Sequence, residues 1–288
     1  MYFAPLAPTK MKIRKAVITA AGPNQRTLPL QTLVDRDGEE KPILRILLEE
    51  AFSAHIEEAS VIVAPGDETP YTAAAGDLAR RVRFIEQTEP RGYGHAVWCA
   101  RPFTKDESFL HLVGDHVYLG NAEDRPARRL VALAEQEDCA VSAVQATREN
   151  QIGRFGAIGG QHVHGRADLY RVELVMEKPT PTEAEEHLIV AGLRAGYYLC
   201  FFGMHVLTAG AMDGLEHELG RRDSVSLSSV LDRLARREQY LALQEIARRY
   251  DIGVRYGLLT AQMALALSGR DREEVLGKLV ELLALSAH

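Results

Sequence analysis

Four charged side chains follow apolar segments, at positions from which they could do chemistry. Asp115 lies near the end of HLVGDHV, Glu177 and Lys178 lie near the end of LYRVELVMEKP, and Asp251 precedes a glycine turn in RRYDIG. A carboxylate at a strand end can hold Mg²⁺, which takes oxygen ligands and usually keeps a substrate phosphate among them. Glu177 can accept hydrogen bonds from sugar hydroxyls, and Lys178 can pair with a phosphate. Each position also has a plainer interpretation, as a turn cap or as part of a surface ion pair.

An apolar run near the start of the chain ends in a polar loop with one arginine, Arg26, in AVITAAGPNQRTLPL over residues 16–30. A strand that ends in Ala-Ala-Gly lets a ligand approach the backbone closely. The next residue, Pro23, has no N–H to offer a phosphate. Asn24 tolerates the left-handed conformation better than other non-glycine residues. The segment could be a working nucleotide loop, a damaged one or only a turn.

Two common nucleotide-binding patterns are absent from the sequence. The dinucleotide fingerprint GxGxxG would have to follow the first strand, and Gly22 does not begin it. The phosphate-loop pattern GxxxxGK[ST] is absent as well. A nicotinamide-dependent dehydrogenase is therefore disfavoured. EQTEPRGYGHAV, residues 86–97, instead carries two glycines in a loop that leads into a helix.

Alternating strands and helices must position these side chains. Apolar runs predict strands over residues 15–21, 59–65, 82–87, 108–118, 139–147 and 197–207, and a hairpin over 154–177. Apolar periodicity predicts helices over residues 41–56, 127–138, 227–236, 257–267 and 270–286, and one that begins near residue 94. The first 65 residues form a strand–helix–strand unit, which implies a parallel sheet. Because ligands bind at the carboxyl ends of such strands, we expect Gly22, Gln87 and Asp115 on one rim.

Length and composition bound the class of protein. The chain has 288 residues, of which 46% are hydrophobic, and this fits one large α/β domain or a domain with an appendage. The formal net charge of −6 argues against a general nucleic-acid binder. We expect an arm over residues 1–10 and a single domain over 11–288. Within it, a nucleotide half spans about 11–150, a sugar half about 151–256 and a helical tail 257–288.

Cysteine spacing and apolar segment length indicate the compartment. Cys99, Cys139 and Cys200 are far apart and lie in apolar or helical contexts, so we expect buried thiols rather than a disulfide framework. The N-terminus lacks an apolar leader, and no stretch approaches the length of a membrane span. We expect a cytoplasmic protein that binds no membrane. The tail could serve a homo-oligomer interface, although we favour its packing on the sheet.

Taken in chain order, these pieces resemble the sugar-1-phosphate nucleotidyltransferases, most closely the bacterial UTP–glucose-1-phosphate uridylyltransferases. The resemblance covers roughly residues 13 to 270. Its segments are KAVITAAG with R.LP, KPILRILLEEAFSAHIEEASVIV, EQTEPRGYGHAVWCARPF, LVGDHV, RFGAI with LYRVELVMEKP, and FFGMHVLT with RRYDIGVRYGLLTA. It implies a Rossmann-like three-layer α/β/α sandwich with a mixed, mainly parallel central sheet and a C-terminal helical tail. It also implies transfer of a uridylyl group from UTP to glucose 1-phosphate or a similar sugar 1-phosphate, with Mg²⁺ and without a protein nucleophile.

The resemblance assigns roles to uncharged and charged positions. Backbone groups would border the nucleobase, one glutamine and one glycine would read the uracil edge, and two glycines would let the sugar approach the backbone. These positions are, in that order, Ala20, Ala21 and Gly22, then Gln87 and Gly92, then Gly156 and Gly203. The charged positions are Arg26 for the triphosphate, Asp115 and Asp251 for Mg²⁺, Glu177 for sugar hydroxyls and Lys178 for the sugar phosphate.

The phosphate segment departs from the pattern of the resembled family. That pattern reads GxGTRxLP, whereas Asn24 stands here at the second glycine and Gln25 at the threonine. The family lysine of PKxxLP is not matched, because DRDGEE (residues 35–40) falls there, with Arg36 nearest in register. Its four acids are unfavourable beside a triphosphate unless they point away. The loss of one such cation or donor costs on the order of 10²–10³ in rate, about 3–4 kcal/mol.

Three hypotheses follow. The first is an Mg²⁺-dependent uridylyltransferase that acts on UTP and a sugar 1-phosphate. The second is a catalytically weak or inactive relative that binds a nucleotide or nucleotide sugar as a regulatory or partner protein. The third is a related transferase that uses another nucleotide or an alcohol phosphate.

Overall fold

A computed structural model describes residues 10–23, 25–120 and 124–285. Its strands are β1 Lys15–Thr19, β2 Thr32–Val34, β3 Glu40–Pro42, β4 Glu58–Val63, β5 Val82–Glu86, β6 Phe109–Val113, β7 His116–Leu119, β8 Ala140–Arg148, β9 Gly156–His162, β10 Leu169–Glu177, β11 Tyr197–Leu207, β12 Tyr240–Gln244 and β13 Arg248–Asp251. Its α-helices are α1 Ile43–Ser53, α2 Glu68–Ala75, α3 Tyr93–Trp98, α4 Arg101–Thr104, α5 Pro126–Glu137, α6 Pro181–His187, α7 Ala209–Leu219, α8 Leu227–Ala235, α9 Gly257–Ser268 and α10 Arg272–Leu285. Short 3₁₀ helices span Leu28–Leu30, Gly76–Arg81 and Glu149–Arg154. The predicted arm lies outside the described residues except for Lys10, and so does Asn24.

A nine-stranded mixed sheet forms the centre, in the order β5-β4-β1-β6-β11-β8-β12-β10-β9. Strands β5, β4, β1 and β6 are parallel to one another, as the alternation of strand and helix predicts. Strand β11 runs antiparallel to β6 and β8, and β10 runs antiparallel to β12 and β9. The predicted mixed sheet is confirmed, but the expectation that it is mainly parallel is wrong, because four of its described strand pairings are parallel and five are antiparallel.

Apolar side chains from both faces of the sheet pack under helices. On β1, Ala16 and Ile18 join the core beneath α1 and α5, whereas Val17 joins the core beneath α3, α7 and α8. All five residues of β1 are buried, so this strand is covered on both faces. A strand covered on both faces needs a nearly continuous apolar run, which is what the sequence shows here. The three-layer α/β/α sandwich is therefore confirmed.

One predicted strand is wrong in its extent. The run over residues 108–118 is not one strand, because Gly114 and Asp115 form a turn between β6 and β7. Strand β6 ends in the central sheet, where Gly114 N donates to Thr19 O at 2.9 Å. Strand β7 leaves that sheet and pairs with β13 instead. The break places Asp115 at the rim of the sheet rather than inside a strand.

Other boundaries differ where a tertiary partner decides them. Helix α1 begins at Ile43 rather than at residue 41, because Lys41 and Pro42 form β3 and pair with β2. Helices α2, α6 and α7 and strands β2, β3, β12 and β13 were not predicted, although α7 buries Ala211, Met212, Leu215 and Leu219 at helical spacing. The predicted hairpin is confirmed as β9 and β10.

The C-terminal tail divides into two helices with different surroundings. Helix α9 buries Gly257, Ala261 and Leu265 and contacts β13 and β2. In the described structure none of the residues of α10 is buried, and this helix contacts α9. The expectation that the whole tail packs on the sheet is wrong for α10, since α9 stands between α10 and the rest of the fold.

Candidate functional site

A cavity of about 360 Å³ opens at the carboxyl ends of β1 and β6. Its lining includes six of the residues that the sequence singles out: Ala20, Ala21, Gly22, Gln87, Gly92 and Asp115. Strands β1 and β6 are neighbours with Thr19 opposite Val113, so the loops that follow them face each other. The expected common rim is thus confirmed by parallel pairing, which brings together residues far apart in sequence.

Gln87 has a fixed side-chain orientation in this cavity. It follows β5, and only 7% of its surface is exposed. Its Nε2 donates to Gly92 O at 3.3 Å and lies 3.0 Å from His95 Nδ1. Because a carbonyl oxygen only accepts, the atom at this position must be the amide nitrogen. Both amide hydrogens are therefore used, and Oε1 is left as an acceptor for a ligand.

His95 is suited to accept one of these hydrogens. Burial lowers the pKa of His95, which keeps the imidazole neutral and one ring nitrogen unprotonated. Gly92 is required on the other side, since it caps α3 with a φ of 91° and a Cβ there would lie 2.6 Å from Ser224 Oγ. The loop and the helix together hold the Gln87 amide.

The predicted metal ligands lie on adjacent segments. Asp251 lies opposite His116 in the β13–β7 ladder, and Ile252 N donates to Asp115 O at 2.9 Å. Burial alone would raise the pKa of Asp115, but His116, whose Nδ1 lies 2.8 Å from Asp115 Oδ1, outweighs it and lowers that pKa. Asp115 is thus an ionised carboxylate at the cavity. Asp251 Oδ1 accepts from Gly253 N at 2.9 Å.

This donor set fits a cation whose remaining ligands come from elsewhere. Within the described residues, no group of three or more His, Cys, Asp or Glu side chains could hold a metal ion. Mg²⁺ is usually bound through one or two carboxylates plus substrate phosphates and water. Of the two predicted ligands, Asp115 lines the nucleotide cavity, whereas Asp251 lines a different cavity on the neighbouring segment.

Arg26 is engaged outside the cavity. Its Nε lies 3.3 Å from Asp67 Oδ2, and its backbone oxygen accepts from Tyr71 at 2.6 Å. In the described part of the chain, no lysine or arginine lines the nucleotide cavity. The side chain of Arg26 is 45% exposed, so it can leave Asp67 without disturbing the core.

The acidic segment forms the β2–β3 hairpin and does not line the cavity. Asp35 accepts from the backbone N–H groups of Asp37 and Glu39 and forms an ion pair with Lys41 at 2.7 Å. Arg36, nearest to the family lysine in register, donates to Gly120 O at 2.6 Å. The hairpin docks on α9, where Gln262 exchanges two hydrogen bonds with the backbone of Val34. The acids therefore point away from the base-binding residues.

The predicted sugar residues gather on the other side of the rim. Ser228 Oγ donates to Glu177 Oε2 at 2.5 Å, and Lys178 Nζ lies 3.9 Å from Glu177 Oε1. Lys178 adopts a left-handed φ of 48°, and its N–H donates to Phe155 O. Glu177 and Lys178 are half-exposed to exposed, and neither lines the nucleotide cavity.

The two sugar-side glycines have close protein neighbours. A Cβ at Gly156 would lie 2.6 Å from both the Phe201 ring and Ser228 Oγ. Gly203 has a φ of 90°, and a Cβ there would lie 2.8 Å from the Val113 side chain. Packing therefore accounts for both glycines. Their approach to a sugar stays a prediction.

Comparison with known proteins identifies the family. The family model described as Nucleotidyl transferase matches residues 15–267. The chain belongs to this family. UTP–glucose-1-phosphate uridylyltransferase of Bacillus subtilis strain 168 is 28% identical over 298 residues, covering 94% of this chain and 97% of that protein. UTP–glucose-1-phosphate uridylyltransferase 2 of Staphylococcus saprophyticus is also 28% identical, covering 96% and 99%.

Solved structures share the nucleotidyltransferase fold. A UDP-glucose pyrophosphorylase complexed with UDP-glucose superposes with a TM-score of 0.73 at 19% identity, covering 88% of this chain and 98% of that one. A UTP-bound enzyme of this type from Acinetobacter baumannii gives 0.71 at 19% identity, covering 93% and 99%. Across the described residues of this nucleotidyltransferase, no helix is long and apolar enough to cross a membrane.

Tyr93 is among the side chains of this nucleotidyltransferase cavity that sequence reasoning did not single out. Its hydroxyl donates to His111 Nε2 at 2.6 Å, because His111 Nδ1 donates to Val17 O at 3.0 Å. The His111 ring stacks on His205, which contacts Ser142 Oγ at 2.6 Å. A tyrosine between two glycines at the start of a helix was the available signal. The buried histidines lie inside apolar strands, so no pattern marks them.

Proposed function

We propose that this nucleotidyltransferase transfers a uridylyl group from UTP to glucose 1-phosphate or a similar sugar 1-phosphate, giving a UDP-sugar and pyrophosphate. The observation that carries the proposal is the orientation of Gln87. Its free Oε1 can accept from N3–H of uracil, whereas cytosine has an acceptor at the same position. The relatives named as UTP–glucose-1-phosphate uridylyltransferases support the same substrate pair.

The base would lie against the backbone that follows β1. Ala20, Ala21 and Gly22 line the cavity and have small or no side chains, so a planar ring can approach their backbone. Tyr93 lines the same cavity and offers a ring for stacking or for contact with the ribose. The uracil edge would then meet Gln87 and Gly92.

Asp115 and Asp251 would hold the divalent ion, which we propose to be Mg²⁺. The ion, when bound, neutralises phosphate charge and aligns the reacting groups. The ionised state of Asp115 and the small number of carboxylates support this assignment. The residues of this chain orient the phosphates for in-line attack by the sugar phosphate oxygen, so the transfer needs no protein nucleophile.

The sugar phosphate would bind on the Glu177 side of the rim. Ser228 holds Glu177 Oε2, which leaves Oε1 for a sugar hydroxyl. The exposed Lys178 can pair with the phosphate. Arg26 would turn from Asp67 to the triphosphate when UTP binds.

A second candidate function is binding without turnover, as a regulatory or partner protein. The observation that favours it is the engagement of Arg26 by Asp67, together with a cavity that in the described structure has no cation in its lining. Without a cation to replace the family lysine, the developing charge on the leaving pyrophosphate would be poorly stabilised.

One experiment separates the two. The purified chain is incubated with UTP, glucose 1-phosphate and Mg²⁺, and pyrophosphate release is measured beside a calorimetric titration with UTP. Turnover that Arg26→Ala abolishes supports the transferase. Tight UTP binding with no pyrophosphate from any nucleotide and sugar phosphate pair supports the binding protein.

Two further proposals concern assembly and compartment. Helix α10 exposes apolar side chains, including Val280 at 59% and Leu282 at 62%, which supports a homo-oligomer interface. Sedimentation of the full chain and of a Val280→Glu, Leu282→Glu variant tests this, since a monomeric wild type contradicts it. The three cysteines are free thiols, which supports a cytoplasmic location.

A further inference from the structure

A second cavity, of about 730 Å³, is rich in arginine. It lies between the end of β8, the 3₁₀ helix Glu149–Arg154, β13 and the start of α9. Its lining includes the five arginines Arg148, Arg154, Arg248, Arg249 and Arg255. Asp251 is the single carboxylate in this lining. We call this space the arginine cavity.

These guanidinium groups lack acidic partners. Within the part of the chain that the structure describes, none of the five forms an ion pair with a carboxylate. Other arginines of the described structure form ion pairs with carboxylates, and the single residue Arg129 contacts three of them, Asp124, Asp168 and Glu245. Five like charges around one cavity repel one another. Asp251 and Asp115 attract Arg249 without forming an ion pair with it, so the lining keeps an excess of positive charge that a bound anion would offset.

Arg249 is the most constrained member of the cluster. Its guanidinium carbon lies 3.6 Å from the centroid of the Phe155 ring, so the planar group is held by stacking. Its Nη1 is buried and has no hydrogen-bond partner among the described residues. A fixed, under-satisfied guanidinium is a preorganised anion ligand.

Neutral donors complete the lining. Arg148 Nε donates to the Tyr197 hydroxyl at 2.9 Å, and this places both side chains at one edge of the cavity. The Thr147 and Thr260 hydroxyls already donate to Gln145 O and Tyr256 O, so the neutral donors left for a ligand are the Tyr197 hydroxyl and the Gln151 amide. Guanidinium forks and hydroxyl donors match the oxygen atoms of a phosphate group.

We propose that the arginine cavity binds the phosphate or diphosphate group of a small phosphorylated molecule, at a site separate from the nucleotide cavity. In the described structure the two cavities share no lining residue. Glu177 and Lys178, proposed for the sugar phosphate, do not line the arginine cavity either. Asp251, which we propose as a ligand of the divalent ion, does line the arginine cavity, so the two sites adjoin at this residue. Anion binding by the arginines does not itself require that the protein transfers a uridylyl group.

The arginine cavity is coupled to the metal side of the nucleotide cavity through β13. Arg248 and Arg249 lie on this strand, which ends at Asp251 opposite His116. An anion bound to these two arginines would therefore affect where the Asp251 carboxylate lies. Its source is either the pyrophosphate that the reaction releases or a separate phosphorylated metabolite.

Calorimetry of the full chain tests the site, with inorganic pyrophosphate and inorganic phosphate as probes and without divalent metal. The test variant is Arg148→Gln with Arg255→Gln, since both side chains are exposed and unpaired by carboxylates. The matched control is Arg171→Gln with Arg237→Gln, which removes two exposed arginines outside the cavity. Thermal unfolding of both variants checks that the fold is retained.

We expect the wild type and the control to bind pyrophosphate alike and the test variant to bind at least tenfold more weakly. The salt dependence of binding should also decrease in the test variant, because fewer charges are neutralised. If saturating UTP leaves this binding intact, the ligand is a separate phosphorylated molecule. If UTP displaces it, the site serves the phosphates of the reaction. Absence of pyrophosphate binding, or equal binding by the wild type and both variants, overturns the proposal.

Discussion

Base selection by Gln87 gives the sharpest test of the proposed function. Gln87→Ala removes the oxygen that we assign to N3–H of uracil and leaves that donor buried without a partner. An unsatisfied buried donor costs about 1–3 kcal/mol, which corresponds to about 5- to 150-fold in kcat/KM for UTP. The variant should not lose the same factor with CTP, because cytosine offers no N–H at that position.

His95→Leu perturbs the same contact indirectly, because His95 helps to orient the Gln87 amide. The Gln87 amide then keeps only the 3.3 Å bond to Gly92 O to hold its orientation. Loss of one net hydrogen bond, about 1 kcal/mol, should lower kcat/KM for UTP about fivefold and narrow the preference over CTP. Cys99→Ala is the matched control, since Cys99 Sγ lies 3.9 Å from His95 Nε2, the ring nitrogen that Gln87 does not contact.

The assay is pyrophosphate release with UTP or CTP, glucose 1-phosphate and Mg²⁺, and calorimetry with each nucleotide gives the same ratio without turnover. An equal loss for UTP and CTP in Gln87→Ala, or a loss below twofold for both, would refute this account of base selection. A Cys99→Ala variant that behaves like His95→Leu would show that the whole helix, rather than Nδ1, holds the amide.

Three further outcomes are expected. Asp67→Asn should release Arg26 and lower KM for UTP, whereas Arg26→Ala should lower kcat about 10²- to 10³-fold, and steady-state kinetics that show no such contrast contradict the role of Arg26. Burial lowers the pKa of His111 from 6.5 to about 4, so the unfolded chain binds more protons between these values. The contribution of His111 to stability should therefore fall by about 3 kcal/mol from pH 7 to pH 4, and a urea midpoint whose pH dependence is unchanged by His111→Gln argues against this burial. Lys41→Met should cost about 1–2 kcal/mol in urea unfolding, because Asp35 loses a partly buried partner but keeps its two backbone N–H donors, and an unchanged midpoint would show that water replaces the lysine.

The phosphate segment shows how far sequence comparison reaches. The missing lysine and the acids over residues 35–40 are visible in the sequence, but their direction is not. Asp35 accepts hydrogen bonds from the backbone of its own turn and pairs with Lys41, so it belongs to a hairpin. That hairpin packs against α9 through a hydrogen bond to Gln262, a residue more than two hundred positions away in the sequence. Only the folded chain shows that these acids lie outside the lining of the nucleotide cavity.

Local patterns in the sequence determined the elements that carry the site. The continuous apolar run of β1 needs burial on both faces, and the strand–helix–strand order needs a parallel sheet. Together they place Gly22, Gln87 and Asp115 at one rim, because parallel strands present their carboxyl ends together. These features depend on neighbours in the sequence and on general rules of chain geometry.

Contacts between distant segments were decided by tertiary structure alone. The orientation of the Gln87 amide depends on His95, the direction of Arg26 on Asp67, and the arginine cavity on β8 and β13 meeting at one surface. Side-chain direction and charge compensation are set by whichever groups the fold brings within a few ångströms. No local period encodes such pairings, so the chemistry of the rim follows from the folded chain rather than from any single motif.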